Sequence, residues 1–127
     1  MGIDVPSGAI LNIYGQKKGT GILNAQACTF DSSHGSGTGN FYGAAIGGSY
    51  DTNPSSNYPS VTRQCGKINI HGCQITANSS SIPDAAGIGG CDGAGPVSLI
   101  IYGGKVTATG GKYGAGIGGG GVTPRKA

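Results

Sequence analysis

Acid–base chemistry in this chain can draw on only five carboxylates, Asp4, Asp31, Asp51, Asp84 and Asp92, because glutamate is absent. Glycoside cleavage commonly uses two carboxyl groups about 5 to 9.5 Å apart. Asp51 and Asp92 follow consecutive Ile-Gly-Gly segments, so they form the pair whose placement suggests approach. Both stand in turn-like contexts, where aspartate also serves its own backbone hydrogen bonding. A lyase or hydrolase acting on polysaccharide would use these two residues. The expectation for the chain as a whole leans away from an enzyme. His34, within Ser32-Ser33-His34-Gly35, has no nucleophile elbow around it and reads as a loop residue.

The aromatic residues offer a second chemistry. Tyr14, His71 and Tyr102 each stand between an apolar strand residue and a glycine. Tyr42 and Tyr113 share another position, which Asp84 takes in the intervening repeat. Flat, amphipathic side chains in outward columns can stack on sugar rings, while Asn, Asp and Gln supply hydrogen bonds. The carbohydrate-binding set expected on this ground is Tyr14, His71, Tyr102, Tyr42, Tyr113 and Asp84. The plainer alternative is that the rings pack on corners and shield the sheet.

Four cysteines complete the reactive inventory: Cys28, Cys65, Cys73 and Cys91. Cys28 and Cys73 align at one repeat position, and stacking would bring them within disulfide range. Cys65 and Cys91 begin and end one repeat and could meet at a corner. Each pair reads either as a disulfide, which suits an oxidising compartment, or as buried thiols. There is no CxxC and there are only two histidines, so no structural metal is expected. The glycine runs carry no Gly-Lys-Ser/Thr and no calcium-binding repeat, and no cofactor is expected.

The elements that must hold these residues are repeats. Ala-(Ala/Gly)-Ile-Gly-Gly occurs at 44–48, 86–90 and 115–119. Ile68-Asn69-Ile70-His71-Gly72 and Cys73 to Ala77 have a counterpart in Leu99 to Ala108. Apolar residues alternate with polar ones at a period of two, which is strand patterning, and no segment has a capped helical pattern. Glycine makes up 28 of 127 residues without a collagen register, and charged residues are only 10%. Three short strands per roughly thirty residues predict an all-β, single-stranded parallel β-helix of three to four coils, expected to be right-handed. A polyglycine-II sandwich is the second choice, and the alternating Ile/Val strands argue against it.

The chain divides as a single β-helix domain, 1–127. It comprises a partial coil at 8–21, repeats at 22–64, 65–96 and 97–122, and a loop insertion at 51–63 rich in Pro, Asn and Ser. Three inward ladders are expected: Leu23/Ile68/Leu99, Phe30/Ile75/Val106 and Ile46/Ile88/Ile117. The short solenoid leaves open ends, so either end-to-end pairing of copies or a neighbouring domain is expected. The chain reads as a fragment of a larger protein, with Met1-Gly2 as an added start. Net charge is +3 with scattered bases, so no nucleic-acid partner is expected, and no apolar run suggests membrane insertion.

Leu11-Asn12-Ile13-Tyr14-Gly15-Gln16, Gly104-Lys105-Val106-Thr107-Ala108-Thr109 and Tyr113-Gly114-Ala115-Gly116-Ile117-Gly118-Gly119 resemble glycine-rich repeats of large bacterial surface proteins. Such proteins are common in gut Firmicutes and often labelled carbohydrate-binding-domain proteins. The resemblance covers about residues 3 to 121, with Phe30-Asp31-Ser32-Ser33 departing from it. It implies a secreted, cell-surface β-helix used in adhesion or in contact with glycan or host polysaccharide. It assigns no binding residues. A phage tail or structural tip protein is a further alternative.

Overall fold

A computed structural model describes residues 2–16, 20–27, 40–52, 61–62, 64–91, 93–94 and 98–121. Its strands in chain order begin with β1 (Ile3–Asp4), β2 (Ile10–Ile13) and β3 (Ile22–Gln26). β4 (Asn40–Gly43), β5 (Ile46–Gly47), β6 (Ser49–Thr52) and β7 (Val61–Thr62) follow. The remainder are β8 (Lys67–Ile70), β9 (Gln74–Asn78), β10 (Ile88–Gly89), β11 (Ser98–Ile101), β12 (Lys105–Thr109) and β13 (Ile117–Gly118). No helix occurs among the described residues, so none is long and apolar enough to cross a membrane.

Ten of these strands form three parallel sheets, ordered β1-β5-β10-β13, β11-β8-β2 and β12-β9-β3. Each turn of the chain adds one strand to each sheet in rotation, which makes the molecule a parallel β-helix. The short strands cannot bury an apolar face alone, so stacking supplies the core. Ile46, Ile68, Ile70, Ile75, Ile82 and Ile88 lose essentially all contact with solvent. Each such burial stabilises by about 1.5–3 kcal/mol.

The ladder Ile46/Ile88/Ile117 forms as expected and is extended by Ile3. The other two ladders differ from the sequence alignment. Leu11, not Leu23, pairs with Ile68, and Leu23, not Phe30, pairs with Ile75. The first coil therefore starts at β2, inside what reads from sequence as a partial unit. The reason is the length of one corner. Residues 14–21 join β2 to β3, whereas only 71–73 and 102–104 make the same corner in the next coils. Alignment by the short corner shifts the first coil by one strand. Phe30 itself lies outside the described residues.

The insertion is also larger than 51–63. An antiparallel sheet of β4, β6 and β7 flanks β5, and it begins at Asn40.

Glycine at the third face is sterically fixed. Gly47, Gly89 and Gly118 have φ of 144°, 141° and 137°, and a β-carbon on Gly89 would lie 1.8 Å from the Gly118 carbonyl oxygen. At the corner before β12, Gly104 has φ 95°; its counterpart before β9 is Cys73, with φ 87°. A left-handed non-glycine residue costs about 1–2 kcal/mol. At Cys73 the thiol donates to the Gly21 carbonyl at 3.0 Å, which offsets part of that cost.

Candidate functional site: an exposed aromatic ladder

The corner that follows β2, β8 and β11 carries Tyr14, His71 and Tyr102. Backbone bonds set their height: His71 N–H donates to Ile13 O at 2.8 Å, and Tyr102 N–H to Ile70 O at 2.7 Å. The side chains are the first residues beyond strands whose inward rows are Leu11/Ile68/Leu99 and Ile13/Ile70/Ile101. Alternation across the pleat therefore turns them outward.

The three rings stack. Tyr14 and His71 have centroids 4.4 Å apart and planes 7° from parallel; His71 and Tyr102 are 4.7 Å apart and 6° from parallel. The spacing follows the inter-strand distance of about 4.7–4.9 Å. Tyr14 and Tyr102 remain 70% and 63% exposed, so the ladder is a surface feature and not part of the core. Two residues earlier, on the same outward face, Asn69 Nδ2 donates to Asn12 Oδ1 at 3.0 Å, making a short amide ladder alongside. Asn12 and Asn69 went unassigned from sequence, although the shared Asn-Ile-(Tyr/His)-Gly string was a signal for them.

Mutual stacking changes what the rings can do. Contact between carbon atoms needs about 3.5–4.0 Å. A sugar inserted between two rings would need about twice that, roughly 7–8 Å, and the spacing is 4.4 to 4.7 Å. Both faces of His71 are thus occupied. Along its length the ladder offers edges, and only Tyr14 and Tyr102 keep an outer face.

Of the remaining expected site residues, Tyr113 and Asp84 occupy the same position of adjacent coils, with Tyr113 N–H donating to Pro83 O at 2.8 Å. Tyr113 is exposed and lies under Lys112, whose Nζ is 5.1 Å from the ring centroid. Tyr42 has its backbone in β4, opposite Tyr50 of β6. Asp84 is half-buried at the turn before β10, and its carbonyl accepts from Gly121 N–H at 3.1 Å. Asp4 is exposed on β1. Asp92 and the side chain of Asp51 lie outside the described residues, as do Asp31 and His34. No group of three or more His, Cys, Asp or Glu that could hold a metal occurs among the described residues.

The disulfide expectation is corrected: Cys65, Cys73 and Cys91 are not in disulfides, and Cys28 lies outside the described residues. The register gives the reason for Cys73. Its stacking counterparts are Gly21 and Gly104, not Cys28. Cys65 pairs across an isolated bridge with Pro6, whereas Cys91 bridges to Ala85. Cys65 lines a cavity of about 370 Å³ together with Ile10, Lys67 and Ser98. Burial pushes its thiol from 9.0 up to about 11; a Gly48 backbone hydrogen bond opposes this and the Asp4 charge adds to it.

The thiol of Cys65 is thus held protonated in the fold at a pH where the unfolded chain ionises. Its contribution to stability is complete below pH 9.0 and falls as pH rises toward 11. Alkylation of the native protein at pH 8 is expected to leave Cys65 largely unmodified while urea-unfolded protein reacts fully. Peptide mass spectrometry reads this directly; equal rates in the two states would contradict a half-buried, protonated thiol.

The fold and the outward ladder together define a parallel β-helix with a decorated corner. Residues 68–94 and 99–121 match a family model described as Beta helix repeat. These stretches are the second and third coils. No curated protein and no solved structure matches the chain.

Proposed function

We propose that this β-helix is a non-enzymatic module that binds glycan or mediates adhesion at a cell surface. The observation that carries the reading is the ladder of Tyr14, His71 and Tyr102, stacked and yet largely exposed. Aromatic surface of this kind is costly to leave in water and useful against amphipathic rings. The neighbouring Asn12 and Asn69 amides add hydrogen-bonding capacity beside it. On the outward face of the β3/β9/β12 sheet, Asn24, Thr76 and Thr107 form a polar column, beside Ile22, which is 70% exposed.

A glycan array probed with the wild-type chain tests the reading. Binding is expected, and the triple variant Tyr14→Ala/His71→Ala/Tyr102→Ala is expected to lose it while melting as a folded protein. A blank array with wild type would sink the proposal.

A further inference from the structure

The two outer ring faces of the ladder are not chemically alike, and this difference selects one of them. At the end of the ladder nearest β11, Tyr102 is bordered in sequence by Ile100 and Ile101, which are 49% and 46% exposed. Ile101 is an inward-row residue on β11, the edge strand of its sheet among the described residues. That end is an apolar patch with no polar side chain next to the ring in the strand.

The end nearest β2 is different. Tyr14, the more exposed ring, is flanked two residues on either side by Asn12 and Gln16. Each of these exposed amides has its oxygen engaged by another side chain. Asn12 Oδ1 accepts from Asn69 Nδ2 at 3.0 Å, and Gln16 Oε1 accepts from the Thr20 hydroxyl at 3.1 Å. An amide whose oxygen is taken presents its NH₂ group as a donor. Tyr14 thus stands in the chain between two amides that can each donate.

We infer that the face of Tyr14 turned away from His71 is the sugar platform: it takes one pyranose ring, whose C–H face lies on the tyrosine and whose oxygens accept from Asn12 Nδ2 and Gln16 Nε2. This rests on the glycan reading above and narrows it. His71 and Tyr102 then act as backing that holds the Tyr14 ring in its plane. They are positioning residues and do not touch the sugar.

Titration calorimetry with the best glycan from the array, run on the whole chain, separates the possibilities. Tyr14→Ala is expected to weaken binding about tenfold, the loss of a ring contact worth roughly 1–1.5 kcal/mol. Tyr14→Phe keeps the platform and should stay within about twofold of wild type, whereas Gln16→Ala should weaken binding about threefold to tenfold. Tyr102→Ala should change affinity by less than about threefold, because backing is worth less than contact. Tyr14 and Tyr102 are exposed, so their variants are expected to melt close to wild type. If wild type binds and Tyr14→Ala binds equally well, or Tyr102→Ala is the one that loses binding, the assignment to Tyr14 is wrong and the glycan reading survives. If wild type binds no glycan, both fall.

Discussion

Replacing Gly89 by alanine should prevent the third coil from seating on the second. The β-carbon would be 1.8 Å from the Gly118 carbonyl oxygen, a backbone atom that cannot swing aside. The φ of 141° adds a conformational cost that glycine avoids. The left-handed penalty is about 1–2 kcal/mol and overpacking adds about 1–3. Together they approach the stability of a small domain, which is about 5–15 kcal/mol. Gly118→Ala is the natural control: its φ is 137°, and the nearest atom to an added β-carbon is Ala115 Cβ at 3.5 Å. Thermal melts should show Gly89→Ala strongly destabilised or unfolded and Gly118→Ala lowered only by the conformational term. Equal melting temperatures for the two variants would show that coil contact at Gly89 does not matter.

The second large effect is expected at Ser79. This serine is fully buried just beyond β9, and it ties two coils together from inside. Its Oγ accepts from Ala45 N–H at 2.9 Å and donates to Ala86 O at 2.7 Å. Alanine would leave a buried donor and a buried acceptor unmatched, at about 1–3 kcal/mol each. Ser79→Ala should therefore lower stability by about 2–6 kcal/mol, read as the midpoint shift in urea. Ser80→Ala, at an exposed neighbour, should cost far less. A Ser79→Ala midpoint within error of wild type would exclude the interior bridge.

The sequence carried the architecture well where side chains repeat. Ile46, Ile88 and Ile117 announce one ladder because each is embedded in the same glycine frame. Tyr14, His71 and Tyr102 were legible as one column because the strand before them reads apolar–x–apolar. The register of the first coil was not legible. The long corner at 14–21 and the antiparallel excursion around β5 break the spacing that the later coils keep. Cys28 therefore fell into a false alignment with Cys73, and a disulfide followed from it. Ser79 could not be found from sequence at all. Its counterparts in the neighbouring coils are Ala27 and Gly110, so nothing periodic marks it. The use of the ring faces was equally hidden, since sequence gives the column and only geometry gives the 4.4 and 4.7 Å gaps.

β1 carries a consequence for self-assembly. The β1-β5-β10-β13 sheet has four strands, whereas the other two parallel sheets have three each. A copy continuing the spiral upward would set its β2 on β11 and its β3 on β12. In this spiral, the strand preceding each β2-type strand lies one level lower on the four-stranded sheet. The incoming β1 would then need the space that β13 already fills. A flush join of two copies would therefore require the incoming β1 to leave β5, its partner in the four-stranded sheet.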